Sequence, residues 1–334
     1  MFFDSDSLLP AVEHLMGAVI QGTDPAAVIS LEHLNSGGKR LRARLALEMV
    51  GRLGAAPERG IPWAAACELL HNATLVHDDL QDGDEVRRGA PTAWVTHGPA
   101  QAINAGDLMW MAPLMAIERS ELEDSVKWLL AKTIGRYGMQ VVRGQATEWA
   151  MTKEFDSTWD KYLSSIRGKT SALFELPVVG SALLAGVGLE QAEALANVFT
   201  DVGLVFQMQD DVLDLFGSKG RAELGADLYE GKLSALVVAH IESNSESRDA
   251  LCALLRTSRN ETRAEDVQEW IETFRNDGAL RTVCERIVDL SQKVTDDPVL
   301  EKFPAVMVLR SELLELVLNP IGHVLEDLGL SRQE

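Results

Sequence analysis

The stretch Leu75-Val76-His77-Asp78-Asp79-Leu80-Gln81-Asp82 ends an apolar run with an acidic pentad, and the pattern returns as Asp210-Asp211-Val212-Leu213-Asp214. Residues three and four apart share one face of a helix, so each copy would place two carboxylates side by side. Such carboxylates repel one another unless cations lie between them. Mg²⁺ binds one or two carboxylates together with water and phosphate oxygens. The pentads therefore predict helical Mg²⁺ sites for a phosphate or diphosphate ligand.

A single pentad has an alternative explanation, because acidic proteins carry such strings on solvated helix faces. Here both copies follow apolar residues, Leu75-Val76 in one case and Val205-Phe206 in the other, which indicates partly buried helices. Burying several carboxylates without cations is costly. The presence of two copies therefore favours metal binding.

The negative net charge of the chain argues against one class of ligand, nucleic acids. The chain has 334 residues, a hydrophobic fraction of 46% and a formal charge of −20. This length and composition supply ample core for a globular protein. Nucleic-acid binding requires a basic surface, so the acidic balance argues against it. Local clusters of basic residues then become informative.

Cysteine usage and hydropathy indicate a protein of the reducing cytoplasm without a transmembrane segment. Cys67, Cys252 and Cys284 are far apart and form neither a disulfide framework nor a zinc motif. The amino terminus is acidic where a signal peptide would be basic. The most apolar uncharged run, residues 176–189, is shorter than the ~20 residues that a span needs.

Most of the sequence has a helical period and little strand-like alternation. The predicted helical runs are residues 63–80, 100–118, 125–147, 159–171, 191–215 and 232–242. They predict an all-α fold, a single domain over residues 1–334. Its motifs occupy about residues 35–240, and residues 243–334 form C-terminal helices.

Basic residues accompany the acidic pentads. In Gly37-Gly38-Lys39-Arg40-Leu41-Arg42, the glycines let the backbone approach a ligand, and Lys39 and Arg42 lie three residues apart. Arg87-Arg88-Gly89 follows the first pentad, and arginine forms bidentate contacts with phosphate. Alternatives are a helix start with solvated cations for the first cluster and charge pairing with Asp82 for the second. Lys169 and Lys232, taken singly, are typical surface lysines.

Taken in order along the chain, these patterns resemble the trans-isoprenyl diphosphate synthases, also called the polyprenyl synthetase family. The resemblance covers about residues 35–240. It depends on Gly-Gly-Lys-Arg-Leu-Arg, His71, the two pentads, Arg-Arg-Gly, Asn104-Ala105-Gly106-Asp107, Gly144-Gln145, Lys169-Thr170, Gln207 and Lys232. Two departures are Ala43, where the family has proline, and Glu148, where it has aspartate.

The resemblance implies an all-α bundle of the isoprenoid synthase type around a deep central cavity, usually a homodimer. It implies three Mg²⁺ ions that bridge an allylic diphosphate to both aspartate motifs. The implied metal ligands are Asp78, Asp82 and Asp210, supported by Asp79, Asp211 and Asp214. Catalysis would involve Asp78, Asp79, Asp82, Lys169, Thr170, Gln207 and Asp210.

The resemblance also implies two diphosphate subsites. Arg87, Lys169 and Lys232 would hold the allylic diphosphate. Isopentenyl diphosphate would bind Lys39, Arg42, His71 and Arg88 in a subsite without metal. Thr170 and Gln207 would flank the reacting carbons, where an oxygen dipole steadies a developing carbocation.

In this family the residues four and five before the first aspartate line the pocket for the growing chain. Here they are Ala73 and Thr74, both small, and Leu70 is the first bulky side chain on that face, roughly 12 Å from Asp78 along the helix. The expected product is therefore geranylgeranyl diphosphate, with twenty carbons. The alternative is that Ala73 and Thr74 are ordinary packing residues and another helix limits the chain.

Other readings are a synthase with a farnesyl or longer product, a class I terpene cyclase, and a non-catalytic partner subunit of a prenyl synthase. A cyclase needs a single diphosphate, whereas this chain retains basic motifs for two. A partner subunit usually loses an aspartate motif, and this chain has both. The motifs therefore favour a prenyltransferase.

Overall fold

The structure is a computed structural model, which describes residues 4–155, 158–217, 224–244, 246–293 and 298–330. It forms two compact units. The first comprises residues 1–139, 173–199 and 297–309, and the second comprises residues 140–172, 200–296 and 310–334. The helices α7, α9 and α18 contribute residues to both units.

Helices make up nearly all of the regular structure in the described residues. In chain order they are α1 Leu9–Ile20, α2 Pro25–Asn35, α3 Leu41–Arg52, α4 Ile61–Asp82, α5 Ala93–His97, α6 Pro99–Glu118, α7 Asp124–Glu154, α8 Trp159–Ile166, α9 Ala172–Leu184, α10 Leu189–Asn197, α11 Thr200–Phe216, α12 Ala226–Tyr229, α13 Ala235–Ser243, α14 Arg248–Arg256, α15 Ala264–Asn276, α16 Ala279–Gln292, α17 Pro298–Lys302, α18 Pro304–Leu318 and α19 Gly322–Asp327. The predicted all-α class is thereby confirmed.

Shorter elements connect these helices. Asp4–Leu8, Pro57–Gly60 and Asn319–Ile321 are 3₁₀ turns, and Arg167–Ser171 is a π-helix. Within the described residues, strands are confined to one antiparallel hairpin, β1 Val86–Arg87 with β2 Ala90–Pro91, in the register Val86 to Pro91 and Arg87 to Ala90. No helix in these residues combines the length and apolarity needed to cross a bilayer.

The core of the first unit forms around α4, which packs against α3 and α6. Proline in its first turn suits the start of a helix, and Gly83, with φ of 72°, ends it in the left-handed conformation. The fully buried Trp63 donates its indole N–H to the carbonyl of Pro177, 3.1 Å away, inside α9. This packing fixes the helix that carries the first aspartate motif.

The core of the second unit forms around α11, which packs against the π-helix, α13 and α16. At Gly203 a Cβ atom would lie 2.6 Å from the Ser171 hydroxyl, so only glycine allows α11 to approach the π-helix this closely. The predicted run 191–215 divides here into α10 and α11. The second aspartate motif is therefore carried by a helix of 17 residues.

Candidate active site

The first aspartate motif lies on the last turns of α4, as its spacing predicted. Asp78 and Asp82 are half-buried, whereas Asp79 is only 1% exposed. Asp78 and Asp82 are four residues apart and so share one face of the helix. The motif therefore presents two carboxylates on the helix face and directs the third inward.

Asp79 forms a buried ion pair with the hairpin that follows α4. Its Oδ1 accepts a hydrogen bond from Arg87 Nε, and Arg87 also lies 3.5 Å from Asp84. Burial raises the pKa of Asp79 to about 6, against the lowering effect of Arg87. Asp79 Oδ2 is buried without a hydrogen bond. This pair fixes the position of Arg87 relative to the motif.

The Gly-Gly-Lys-Arg segment forms a loop of left-handed residues before α3. The φ angles are 91° at Gly37, 137° at Gly38 and 49° at Arg40. Arg88, itself at φ 55°, donates from Nη1 to the carbonyl of Gly37. A Cβ at Gly38 would lie 2.9 Å from Arg88 Nη2, so the second glycine admits this arginine. Two segments predicted to bind diphosphate are thus brought into contact.

Two arginines of this segment are buried, and sequence reasoning assigned a role to one of them. Arg40 donates from Nε to Glu13 at 2.9 Å and from Nη2 to the carbonyl of Leu34 at 2.8 Å. Arg42 lies 5.1 Å from the ring of Phe174, and burial lowers its pKa to about 10, partly opposed by Glu68. Lys39 is exposed. Arg40 therefore anchors the loop, while Arg42 supplies buried positive charge.

His71 lies two turns before Asp78 on α4, and its Nδ1 is buried without a hydrogen bond. Burial and the charges of Arg42, Arg88 and Arg87 hold its pKa well below the usual range. The imidazole is therefore neutral near pH 7. With Arg42 and Arg88, it forms a cation-rich group in the first unit.

In the second motif, the structure distinguishes three aspartates that look alike in sequence. The fully buried Asp211 accepts hydrogen bonds from the Tyr162 hydroxyl and the Ala235 N–H, both at 2.7 Å, and from Gln207 Nε2 at 3.0 Å. Asp214 accepts from the Asp227 N–H at 3.0 Å. Asp210 is half-buried. Two carboxylates thus fasten neighbouring segments, and Asp210 is the more accessible.

The predicted Lys169 and Thr170 lie on the π-helix. Lys169 Nζ is 2.7 Å from Glu148 on α7, and the Thr170 hydroxyl donates to Gln207 Oε1 at 2.8 Å. A π-helix is rare and is frequent at functional sites. Thr170 and Gln207 therefore lie together beside the second motif, as their shared predicted role requires.

Lys232 lies in the loop before α13. Its Nζ is 2.6 Å from the buried Glu230 and 4.0 Å from Asp227. Glu230 also pairs with Arg259, at 3.0 Å. Burial, followed by the charge of Asp214, raises the pKa of Asp227 well above its usual range. Lys232 is thus held next to Asp227, whose backbone N–H donates to Asp214.

The residues predicted to limit chain length are all buried on α4. Leu70 and Ala73 are fully buried, and Thr74 is 7% exposed. The Thr74 hydroxyl donates to the carbonyl of His71 at 2.7 Å, which satisfies its polar group within the helix. The face that Thr74 presents is therefore compatible with an apolar ligand.

The aspartate motifs supply carboxylate oxygens that could bind a metal ion. Among the residues that the structure describes, no three acidic, histidine or cysteine side chains form a metal cage by themselves. Asp78, Asp82 and Asp210 supply hard oxygen donors, one or two from each motif. Mg²⁺ is commonly held by so few carboxylates when substrate phosphates and water complete its coordination. Taken unit by unit, the carboxylates of each motif fit Mg²⁺ bound together with a diphosphate.

Known proteins are similar to this chain in sequence and in fold. The polyprenyl synthetase family model matches residues 27–274. A short chain isoprenyl diphosphate synthase of Methanocaldococcus jannaschii is 34% identical over 280 residues, 82% of this chain and 84% of that protein.

Two solved structures have the same fold. The geranylgeranyl pyrophosphate synthetase of Pyrococcus horikoshii superposes with a TM-score of 0.80 at 27% identity, over 98% of this chain and 97% of that one. A Caulobacter crescentus polyprenyl synthase, complexed with calcium and isoprenyl diphosphate, gives 0.81 at 25% identity, over 94% of both chains.

This chain belongs to the polyprenyl synthetase family. It is an enzyme, a trans-prenyltransferase, as the motifs predicted.

Three contacting residues were missed in the sequence. Tyr162 and Glu13 belong to no motif, since a tyrosine within a helical run or an acidic residue near the amino terminus is unremarkable, and Arg40 lies inside the Gly-Gly-Lys-Arg-Leu-Arg motif but was given no role. Only the fold shows that Tyr162 contacts Asp211 and that Glu13 contacts Arg40.

Proposed function

We propose that the enzyme condenses isopentenyl diphosphate with an allylic diphosphate to give geranylgeranyl diphosphate. The observation that carries this proposal is the pairing, within the first unit, of two unlike sets of groups. Asp78 and Asp82 form an acidic face suited to metal-bound diphosphate, while Arg42, His71 and Arg88 form a cationic group suited to a second diphosphate without metal. A single-substrate cyclase has no need of the second set.

In this proposal Asp78, Asp82 and Asp210 are the ligands of three Mg²⁺ ions. When bound, Mg²⁺ would supply positive charge that offsets the negative charge developing on the allylic diphosphate. Arg87, Lys169 and Lys232 bind the same diphosphate and stabilise the charge that develops on the leaving oxygen. Asp79 positions Arg87, and Glu148 positions Lys169.

The formation of the new carbon–carbon bond is assisted by neutral side-chain dipoles. Thr170 and Gln207 hold oxygen dipoles beside the allylic cation. The double bond of isopentenyl diphosphate, oriented by Lys39, Arg42, His71 and Arg88, attacks that cation and forms the new C–C bond. The resulting cation loses a proton to the released diphosphate, which leaves an all-trans chain longer by five carbons.

The direct test is turnover of purified protein with isopentenyl diphosphate and, separately, dimethylallyl, geranyl or farnesyl diphosphate. Mass spectrometry of the products is expected to show a twenty-carbon diphosphate from each starter, with activity lost in EDTA and restored by Mg²⁺. A hydrocarbon formed without isopentenyl diphosphate would instead indicate a cyclase. No product with any starter would indicate a partner subunit.

Product length is proposed to depend on Thr74. In the variant Thr74→Phe a ring replaces a small buried side chain near the first motif, so elongation should stop at fifteen carbons. Chromatography of the dephosphorylated products measures this, and Thr74→Ser, which keeps the hydroxyl bond to the His71 carbonyl, is the matched control. A folded Phe variant that still makes twenty carbons would move the chain-length limit to another helix.

We also propose a homodimer. Large apolar side chains are exposed on α6 and α7 of the first unit, among them Met111 at 58% and Trp128 at 65%. The Trp110 ring of α6 lies against Gly138 of α7, so these two helices are neighbours at this point. Exposed apolar surfaces typically mark protein interfaces. The resemblance to the family selects a second copy as the partner.

Light scattering is expected to give twice the chain mass of 36.5 kDa. The variant Met111→Glu buries a charge in the proposed interface and should shift the mass to that of one chain. Glu118→Gln, at an exposed position of the same helix, serves as the control. A monomeric wild-type protein would contradict the proposal.

A further inference from the structure

His33 lies near the carboxyl end of α2, just before the Gly37-Gly38-Lys39 loop. No sequence motif includes it, and no role has been given to it above. Its Nε2 is buried and has no hydrogen bond. A buried polar atom in a native protein normally has a partner, so an unsatisfied one requires a reason.

The charges around His33 are positive and come from three separate segments. Burial lowers the pKa of His33 to about 4, aided by Arg88 and Arg87 of the hairpin and by Arg40 at the start of α3. Asn72 of α4, whose Oδ1 is likewise buried without a hydrogen bond, acts in the opposite direction and raises the pKa of His33. His33 is therefore neutral near pH 7 because cations, and not only apolar atoms, surround it.

His71 on α4 is in the same situation. Its pKa is also lowered by burial and by arginines, and His33 is among the groups that lower it. Its Nδ1 and the Arg40 Nη1 are, like His33 Nε2, buried without a hydrogen bond, although Arg40 Nη1 lies 3.9 Å from the buried carboxylate of Glu68 on α4. Three unsatisfied nitrogens from three segments thus occur in one cation-rich group. The ligand that satisfies them is an anion with several oxygen acceptors.

We propose that His33 is a further binding residue for isopentenyl diphosphate, and that its imidazole takes up a proton from solvent as the diphosphate binds, so that Nε2 donates to a phosphate oxygen. This inference rests on the proposed function, since it concerns the same metal-free subsite. Arg87 and Arg88 supply permanent charge, and His33 supplies charge only while the ligand is present.

The direction of the pH dependence follows from linkage. Negative charge next to His33 favours the imidazolium, so its pKa is raised in the complex relative to about 4 in the free enzyme. A group whose pKa rises on binding strengthens binding as the pH falls through the range between the two values. The contribution of His33 to the affinity for isopentenyl diphosphate should therefore decrease as the pH rises from about 4 through the pKa of the complex, and it should be absent in a variant without His33.

Isothermal titration calorimetry without metal tests this directly. Isopentenyl diphosphate is titrated into the wild-type protein at one pH in PIPES and in Tris, two phosphate-free buffers with very different ionisation enthalpies. The heat difference gives the number of protons taken up. In His33→Gln this number should be smaller by about one, and the Kd should rise about 10-fold or more through loss of a charge-assisted hydrogen bond. His14→Gln, at an exposed position, is the matched control.

Equal proton uptake by the wild-type protein and His33→Gln would overturn the inference. Absence of any isopentenyl diphosphate binding by the wild-type protein would instead count against the proposed function. If His33→Gln does not fold, NMR of the wild-type protein labelled in histidine decides the question. A shift of one imidazole from neutral to cationic on addition of ligand is expected, and no such shift in any histidine would refute the proposal.

Discussion

Alanine at Asp78 or at Asp210 is expected to lower kcat/KM by about 10³-fold or more while the protein remains folded. Both side chains are half-buried and lie on the accessible face of their motifs. Departure of a diphosphate from an allylic carbon concentrates negative charge on the leaving oxygens. Removing a ligand of the ions that neutralise this charge weakens the transition state more than the ground state.

The matched control for Asp210→Ala is Asp211, another aspartate of the second pentad. Asp211→Ala removes the acceptor of hydrogen bonds from Tyr162, Gln207 and the Ala235 N–H, and leaves buried donors unsatisfied. It should lower the free energy of unfolding by about 1–3 kcal/mol per orphaned donor, whereas Asp210→Ala should leave the melting temperature nearly unchanged. Measurement of both kcat/KM and Tm separates the two roles.

Near-normal turnover of both Asp78→Ala and Asp210→Ala would refute the metal-binding roles proposed for them. The melting temperature of Asp210→Ala provides a separate test. If Asp210→Ala melts at a much lower temperature than the wild-type protein, its carboxylate stabilises the fold, and the comparison with Asp211 loses its meaning. Partial recovery of Asp78→Ala at high Mg²⁺ would support a ligand role, because weakened metal affinity is offset by concentration.

Sequence patterns correctly predicted those features that depend only on residues close together in the chain. The period of residues 63–80 placed a helix where α4 runs from Ile61 to Asp82, and the spacing of Asp78 and Asp82 put both on one face. The two glycines before Lys39 predicted close approach of the backbone, and the loop indeed adopts positive φ at both. These features depend on neighbours within a turn or two, which the sequence states directly.

Long-range partners could not be read in the same way. Nothing in the pentad distinguishes Asp211 from Asp210, because the difference lies in Tyr162, which is 49 residues away and reaches Asp211 only in the folded chain. Arg40 is likewise anchored by Glu13, 27 residues away. A sequence pattern identifies the type of side chain. Only the fold shows whether that side chain forms hydrogen bonds that stabilise the protein or is accessible to a ligand.

The prediction of secondary structure was wrong where no helix-breaking residue marks a boundary. Residues 191–215 keep an apolar period throughout, yet α10 ends at Asn197 and α11 begins at Thr200. The π-helix Arg167–Ser171 was likewise included in an α-helical run. Its extra residue per turn leaves the apolar pattern nearly unchanged over so short a length. Tertiary packing, not propensity, sets both features.

The largest effect expected outside the aspartate motifs is that of Gly144→Ala. On α7 this glycine lies against the π-helix, and a Cβ would be 2.7 Å from the Gly168 carbonyl carbon and 2.8 Å from the Ser165 carbonyl oxygen. Both are backbone atoms, which cannot move aside as a flexible side chain can. Overpacking of this kind costs about 1–3 kcal/mol or more, which outweighs the roughly 1 kcal/mol that alanine gains over glycine in a helix.

Activity should suffer beyond this loss of stability. Relief of the clash moves the backbone that carries Lys169 and Thr170, and a misplacement of about 1 Å can cost on the order of 10²-fold in rate. Gly135→Ala on the same helix is the control, because a Cβ there meets nothing within 4 Å, and its Tm should be equal or higher. Thermal unfolding and kcat measured for both variants decide the matter. Wild-type values for Gly144→Ala would mean that the contact between α7 and the π-helix yields easily and does not fix the position of Lys169.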